Sequence, residues 1–418
     1  MANELTESTL TEVCSLVTDG THDTPKRVAS GYPLIKAKEI TGGRIDFENC
    51  DQISEEDHLE VIARSKPQFG DTLFAHIGAS LGEAAFVNTT REFSIKNVAL
   101  FKPNPDVIDA RYLYYLVISP AFQALAKGTK TGSAQPFLGL SQLRGHCIQY
   151  HRDLATQGRI RAILSAYDEL VENSQRRIRL LESMARALYR EWFVHFRFPG
   201  HEKYPRATSP LGDIPKGWEV KKLGEILTVD KGVSYNGAGL TEDGNPMVNL
   251  KNILPGGVFR RDATKPYSGD FKPRHTVKPG DVILANTDLT QAGNVIASPA
   301  LIPRLGDGKP ILISHHLFAL RPAQEISSLF LYHLMLTADF RGFAKGFAIG
   351  TTVLGLPKEG ILNYTFACPP LTLIRDFVAR ISSLHGLIET LHERSDNLRK
   401  TRDLLLPRLL SGQVPLES

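Results

Sequence analysis

Two long helical stripes, one mid-chain and one towards its end, restrict the possible fold more than any other feature of this sequence. Between Ile160 and Phe193, apolar residues fall at Ile160, Ile163, Leu164, Tyr167, Leu170, Val171, Ile178, Leu181, Ala185, Leu188 and Trp192. That is the three-four rhythm of one helix face, with no Pro or Gly to break it. Between Ile374 and Leu410 the rhythm returns at Phe377, Val378, Ile381, Leu384, Leu387, Ile388, Leu391, Leu398 and Leu405, with Pro407 and Gly412 as stop signals. At 1.5 Å per residue each helix is roughly 50 Å long. A stripe of that length needs a partner, and each helix is expected to be the other's, as an antiparallel coiled coil.

The rest of the chain reads as one module written twice. Gly280-Asp281-Val282-Ile283-Leu284-Ala285 answers Gly70-Asp71-Thr72-Leu73-Phe74-Ala75, and Leu331-Tyr332 answers Leu113-Tyr114. Phe340 answers Phe122, Ala344-Lys345-Gly346 answers Ala126-Lys127-Gly128, and Leu354-Gly355-Leu356 answers Leu138-Gly139-Leu140. In the helices, Leu398 and Leu405 answer Leu181 and Leu188. Matches in one order at offsets of 210 to 218 residues describe a duplication. A direct repeat whose helices pair antiparallel has a pseudo-two-fold axis, as in a covalently linked dimer.

The expected fold class is therefore α+β: two tandem mixed domains separated by two long helices, with a pseudo-two-fold internal repeat. The expected divisions are a first domain at 1–150, a helical spacer at 151–198, a linker at 199–218, a second domain at 219–370 and a second helical spacer at 371–412. The linker is drawn around Pro199, Pro205, Pro210 and Pro215. In the first domain, Asp109 to Lys127 is helical by spacing, and a Gly/Ser/Thr-rich loop follows.

Composition narrows the function classes. A net charge of +4 and a pI near 8.7 permit a polyanionic partner without requiring one. Cys14, Cys50, Cys147 and Cys368 are scattered, with no C-x-x-C, so free thiols in a reducing, cytoplasmic setting are expected. No apolar run approaches the ~20 residues that cross a bilayer, so no membrane role is expected. Phosphate-binding G-x-x-x-x-G-K-[ST], zinc-binding H-E-x-x-H and the G-x-S-x-G elbow are all missing. So are nuclease carboxylates at metal-binding spacing and the Asn-Pro-Pro-Tyr run of amino-methyltransferases. The chain reads as a non-enzyme.

What recurs is a set of amides, hydroxyls and cations in the loops. The first module offers Thr21, His22, Lys36, Lys38, Ser80, Lys127, Lys130, Ser133 and Gln135. The second offers Tyr235, Asn249, Lys251, Asn252, Asn286, Thr287, Lys345, Thr351 and Thr352. Lysines and hydroxyls suit phosphates, while amides can read base edges, so these are candidate DNA-binding residues.

Asp-Gly-Thr-His (19–22), Met-Ala-Arg-Ala-Leu-Tyr-Arg-Glu-Trp-Phe (184–193) and Thr-Arg-Asp-Leu-Leu-Leu-Pro-Arg-Leu-Leu-Ser-Gly (401–412), with the duplication, resemble the specificity subunit of type I restriction–modification enzymes. The resemblance covers essentially the whole chain. It implies two target recognition domains, each reading one half of a bipartite asymmetric site on double-stranded DNA. It also implies two methylation subunits around the helices, where Arg177, Leu181, Leu188, Trp192, Leu398 and Leu405 are the candidate contacts. Two motor-nuclease restriction subunits would join for cleavage. S-adenosylmethionine, ATP and magnesium would belong to those partners, with no cofactor on this chain. The second module departs from the pattern, having Asp230-Lys231-Gly232 where Asp-Gly-Thr-His is expected. Two rival readings remain: an enzyme with its own nuclease or methyltransferase activity, and a protein scaffold without DNA contact.

Overall fold

The computed structural model describes residues 4–128, 137–235, 237–305 and 308–414, apart from the side chains of Lys127 and Ala238. The chain divides into two compact units, Met1–Asn173 with Arg394–Ser418, and Ser174–Glu393. Each unit takes its globular part from one module and one stretch from each long helix.

In the first unit the strands are β1 (Leu5–Thr9), β2 (Cys14–Asp19), β3 (Tyr32–Lys36), β4 (Thr72–Phe74), β5 (Ala84–Phe86), β6 (Ser94–Lys96), β7 (Ala99–Pro103) and β8 (Cys147–His151). The longest helices are α1 (Ala110–Ile118), α2 (Pro120–Gly128) and the start of α3 (Leu154–Tyr189). An antiparallel sheet runs β2-β7-β4-β5, β3 and β6 pair in parallel, and β1 pairs with β8. Successive side chains of a strand point to opposite faces, and β4 shows it. Leu73 enters a core with Ile35, Ile40, Ile95 and Leu100, while Phe74 enters another with Phe101, Tyr112 and Phe122. The sheet is thus covered on both faces. The helix expected over 109–127 is two helices, because Pro120 brings no N–H and pushes Ser119 into the extended region (ψ 151). Asp109 caps the first, its carboxylate accepting from the Arg111 and Tyr112 amides.

The second unit repeats the plan. Its strands are β9 (Glu219–Lys222), β10 (Leu227–Lys231), β11 (Leu240–Val248), β12 (Val282–Ala285), β13 (Pro299–Leu301), β14 (Ile311–Ile313), β15 (Leu317–Pro322) and β16 (Thr365–Cys368). The helices are α4 (Ser328–Met335), α5 (Ala338–Lys345) and a stretch of α6 (Leu371–Leu410). The sheet order is β10-β15-β12-β13, β11 and β14 are parallel, and β9 pairs with β16. Ile283 faces a core with Val248 and Ile313; Leu284 faces one with Phe330, Trp218 and Phe377.

Side chains repeat as well as strands. Asp71 accepts from the Gln68 amide and pairs with Lys102; Asp281 accepts from the Lys278 amide and pairs with Arg321. One detail of the sequence alignment shifts. The Leu138 amide donates to His76 O and the Leu356 amide to Asn286 O, so Leu138 answers Leu356 rather than Leu354. The 199–218 stretch carries a short hairpin, Arg206–Ser209 with Gly212–Pro215, and Phe198, Ile214 and Trp218 enter the second core.

The long helices pair antiparallel in each unit. In the first, Ile160 and Leu164 share a core with Leu406, Leu409 and Leu410, and Arg402 Nη1 meets Asp168 Oδ1 at 2.6 Å. In the second, Ile178 packs with Ile388 and Leu391, while Ala185, Tyr189 and Trp192 share a core with Ile374, Phe377 and Ile381. Buried Leu164, Val171, Ile178, Ala185 and Trp192 recur every seven residues, as do Ile374, Ile381, Ile388 and Ser395, with Leu409 two such steps further on. A seven-residue repeat is the mark of a coiled-coil seam. Pro407 does not stop α6, which runs on to Leu410. Pro407 is exposed, so its ring and the hydrogen bond it forgoes face solvent rather than the seam.

Candidate nucleic-acid interface

In the first unit the duplicated framework gathers cations at one point. β3 and β6 run parallel, so Lys36 lies opposite Lys96. The turn after β2 docks on the same strand end: the Thr21 amide donates to Ile95 O at 3.1 Å and the Asn97 amide to Thr21 O at 3.1 Å. Gly20 is required there, since a Cβ on it would stand 2.0 Å from Ile95 O. Lys36, Lys38, Ile77, Gly78, Lys96 and Asn97 then line one cavity of about 200 Å³. His22 Nδ1 is 2.9 Å from Asn97 Oδ1, and its Nε2 is 3.0 Å from Asp19. Carboxylates hold two of the lysines in place, Asp51 for Lys36 and Glu39 for Lys38, and the Lys96 ammonium donates to the Thr24 hydroxyl. That donation from Lys36 also holds the Asp51 carboxyl below its usual range. Thr21, His22, Lys36 and Lys38 are therefore neighbours in space. Lys127 (by its side chain), Lys130 and Gln135 fall outside the described residues.

The second unit builds the same turn with other side chains. The Val233 amide donates to Ile313 O and the His315 amide to Val233 O, both at 2.8 Å. A Cβ on Gly232 would meet Ile313 O at 2.3 Å. Gly232-Val233-Ser234 therefore answers Gly20-Thr21-His22, which settles the missing Asp-Gly-Thr-His: the glycine is kept for close approach, and the Thr and His are not. Tyr235 is half-buried, its ring 5.9 Å from His315 and 6.1 Å from Tyr267. His316 Nδ1 lies 3.2 Å from Thr287 Oγ1. Burial holds His315 and His316 below the ordinary imidazole range, with Lys231 adding to the effect on both.

Asn249 and Asn286, expected to read bases, are buried and used internally. Asn249 accepts from the Lys251 amide and donates to Ala263 O at 2.7 Å. Asn286 donates to His315 O and accepts from the Thr287 hydroxyl. Their amides brace the loops. Lys251, Lys345, Thr351 and Thr352 are exposed, as the sequence reading supposed. Lys96 and Asn97 escaped it, because the pairing that sets them beside Lys36 joins strands some 60 residues apart. A Lys-Asn directly after a short apolar strand was the only signal available.

The spacer candidates divide by exposure. Trp192 is buried in the second core, and Leu181, Leu188, Leu398 and Leu405 are half-buried. Arg177 is exposed, and so are Leu180 and Met184, which stand one turn apart on one helix face.

Residues 215–398 match the family described as Type I restriction modification DNA specificity domain. Over 93% of its length the chain is 26% identical to the specificity subunit of type I restriction enzyme MjaIX from Methanocaldococcus jannaschii, covering 91% of that protein. It is 22% identical to the HindI specificity subunit from Haemophilus influenzae, over 88% of this chain and 91% of the relative. Similarity to specificity subunits of type I restriction enzymes thus runs along nearly the whole chain, and residues 215–398 match their DNA specificity domain. The fold agrees: the crystal structure of the type I restriction–modification S subunit from M. genitalium superposes with a TM-score of 0.53 at 14% identity, over 99% of this chain and 97% of that one. Among the described residues no group of three or more His, Cys, Asp or Glu could hold a metal ion, and no helix is long and apolar enough to cross a membrane.

Proposed function

We propose that this chain is such a specificity subunit and reads a bipartite, asymmetric site on double-stranded DNA, one half with each unit. One observation carries the reading. The same turn and parallel strand pair occur in both units, but the first furnishes them with Thr21, His22, Lys36, Lys96 and Asn97 and the second with Ser234 and His315 over buried Val233, Asn249 and Ser314. Identical platforms with unlike side chains suit two unlike half-sites. Lysines there would hold phosphates, and the residues between them would read base edges.

Methylation and cleavage then belong to partners: two methylation subunits seated on the helices, and two motor-nuclease subunits. S-adenosylmethionine, ATP and magnesium would be bound by those partners, in the cytoplasm. Arg177, Leu180 and Met184 form the exposed face offered to a methylation subunit. The test is genome-wide mapping of adenine methylation in cells with and without this gene, each carrying its methylation partner. A gene-dependent, two-part asymmetric motif is expected; methylation that is the same in both cells overturns the reading. Binding should also be salt-dependent, with a log–log slope of about −0.9 per phosphate contact.

A further inference from the structure

The second unit displays a small stiff ribbon whose outer face is apolar. Thr287 pairs with Gly355 and Asp288 with Leu354, antiparallel. Beyond that pair both chains run on as bends, Leu289 following Asp288 and Val353 preceding Leu354, and the Gln291 side-chain amide donates to Thr351 O. On the other side, Ile349 pairs with Gly355 through two backbone hydrogen bonds of 2.8 and 2.9 Å. Beside the paired positions Ile349, Val353 and Leu289 are turned outward. Leu354, on the opposite face, packs into the core. The three outward residues are 72%, 47% and 62% exposed.

The ribbon is held rigid. Gly350 turns it at φ +127°, where a Cβ would meet Val353 O at 2.1 Å. Asp288 is buried, its carboxylate accepting from the Thr290, Val295 and Ile296 amides. Ile349 and Val353 are β-branched and stiff at χ1. Three large apolar side chains thus keep about half or more of their surface in water. Around them stand Gln291, Thr351, Thr352 and Lys345, the one ionisable residue between Phe343 and Leu356. In the first unit the pair that matches Thr287 and Gly355 lies at the cation cluster. There Ile77 pairs with Phe137, which is 53% exposed, and Ile77 lines the cavity with Lys36, Lys38 and Lys96.

We infer that this ribbon enters the major groove and that Ile349, Val353 and Leu289 recognise thymine by its methyl group. The inference rests on the DNA-reading function proposed above. The major groove admits a two-stranded ribbon, and the C5-methyl of thymine is the one apolar group that unmodified base pairs present there. The hydroxyls, the amide and the single cation flanking the apolar face suit the surrounding edges and phosphates.

The test uses the complex of the full chain with its methylation partner, on the DNA site found by methylation mapping. Each thymine of the second half-site is replaced in turn by deoxyuridine, which removes only the methyl. At contacted positions affinity should fall about 4-fold, the effect of exposing one methyl-sized group. The variant Ile349→Ala with Val353→Ala should bind the thymine site more weakly but no longer distinguish it from the deoxyuridine site. Unchanged fluorescence of Trp192 and Trp218, both in the second core, confirms that the variant is folded. Equal affinity of the unaltered chain for both DNAs, with site preference intact, overturns this inference and leaves DNA reading standing. A second half-site without thymine in either strand overturns it too, as does a variant that keeps its DNA affinity and loses the methylation partner. Binding without any sequence preference would instead remove the DNA-reading function and this inference with it.

Discussion

In the second unit His333 Nε2 lies 3.0 Å from His385 Nε2, at the positions where the first unit sets the Tyr115 hydroxyl 2.6 Å from Asp168. One architectural joint, between the globular part and the spacer helix, is made by two imidazoles in one copy and by a charged cluster in the other. The cluster is extended by Arg111 at 3.2 Å and Arg402 at 2.6 Å from the Asp168 carboxylate.

The imidazole joint makes the second unit acid-sensitive. Burial lowers His333 to about 3 and His385 to about 4, from an ordinary 6.5. An unfolded chain takes up these protons near pH 6.5, and the folded unit only near 4 and below. The folded state therefore binds fewer protons in that window, and its stability falls as pH drops from about 6.5 towards 4. Each proton adds a slope of up to about 1.4 kcal/mol per pH unit. Both tryptophans lie in the second core, so denaturant titrations followed by their fluorescence report this unit. His385→Leu should flatten the pH dependence.

The charged joint fails differently. Asp168→Ala leaves half-buried Arg111 without its carboxylate, while Arg402 keeps Asp403, and breaking a buried pair from one side costs about 3–5 kcal/mol. Hydrogen exchange of the β2 and β7 amides, in the first unit, should speed up accordingly. Slow exchange in the variant would show that solvent replaces Asp168.

The turn at Gly232 can be tested directly. Gly232→Ala forces the backbone off Ile313 O and should cost about 1–3 kcal/mol. It should also relax the half of the methylated motif read by the second unit. A change in both halves, or in neither, would contradict the equivalence of Gly232 and Gly20.

Lys96→Ala should reduce the salt slope by about 0.9, the loss of one phosphate contact. Asn97→Ala should broaden the base preference of the first half alone. Methylation sequencing with each variant checks both expectations.

On the spacer, burial separates stability from docking. Trp192→Ala empties the second core and should cost about 3–5 kcal/mol. Leu180→Glu with Met184→Glu should leave thermal unfolding unchanged and abolish co-purification with the methylation subunit. Retained co-purification would move the docking face elsewhere.

Periodicity and repetition carried far in the sequence. The seven-residue seam was legible at Leu164, Ile178, Ile381 and Ile388, and the duplication at Gly70-Asp71 and Gly280-Asp281, because both are local in the chain. The interface was only half legible. Lys36 and Lys38 stand out in any reading, yet their neighbour Lys96 arrives through a parallel pairing that leaves no local trace. Asn249 and Asn286 misled for another reason. An amide in a loop is equally suited to reading a base and to satisfying stranded backbone groups, and only burial separates the two. Pro407 misled because a proline on the solvent side of a helix costs one exposed hydrogen bond and not the helix.

The first unit is closed by the far end of the chain. Leu406, Leu409 and Leu410 complete its core, and His151 Nε2 stands 3.0 Å from Leu409 O. A ribosome therefore delivers residues 174–393 whole before it makes the piece that 1–173 lack. Vectorial synthesis ordinarily lets the N-terminal domain mature first; here the order is reversed. The N-terminal half must wait on the nascent chain with Ile160 and Leu164 uncovered, and a premature stop near residue 394 would cripple the half made first.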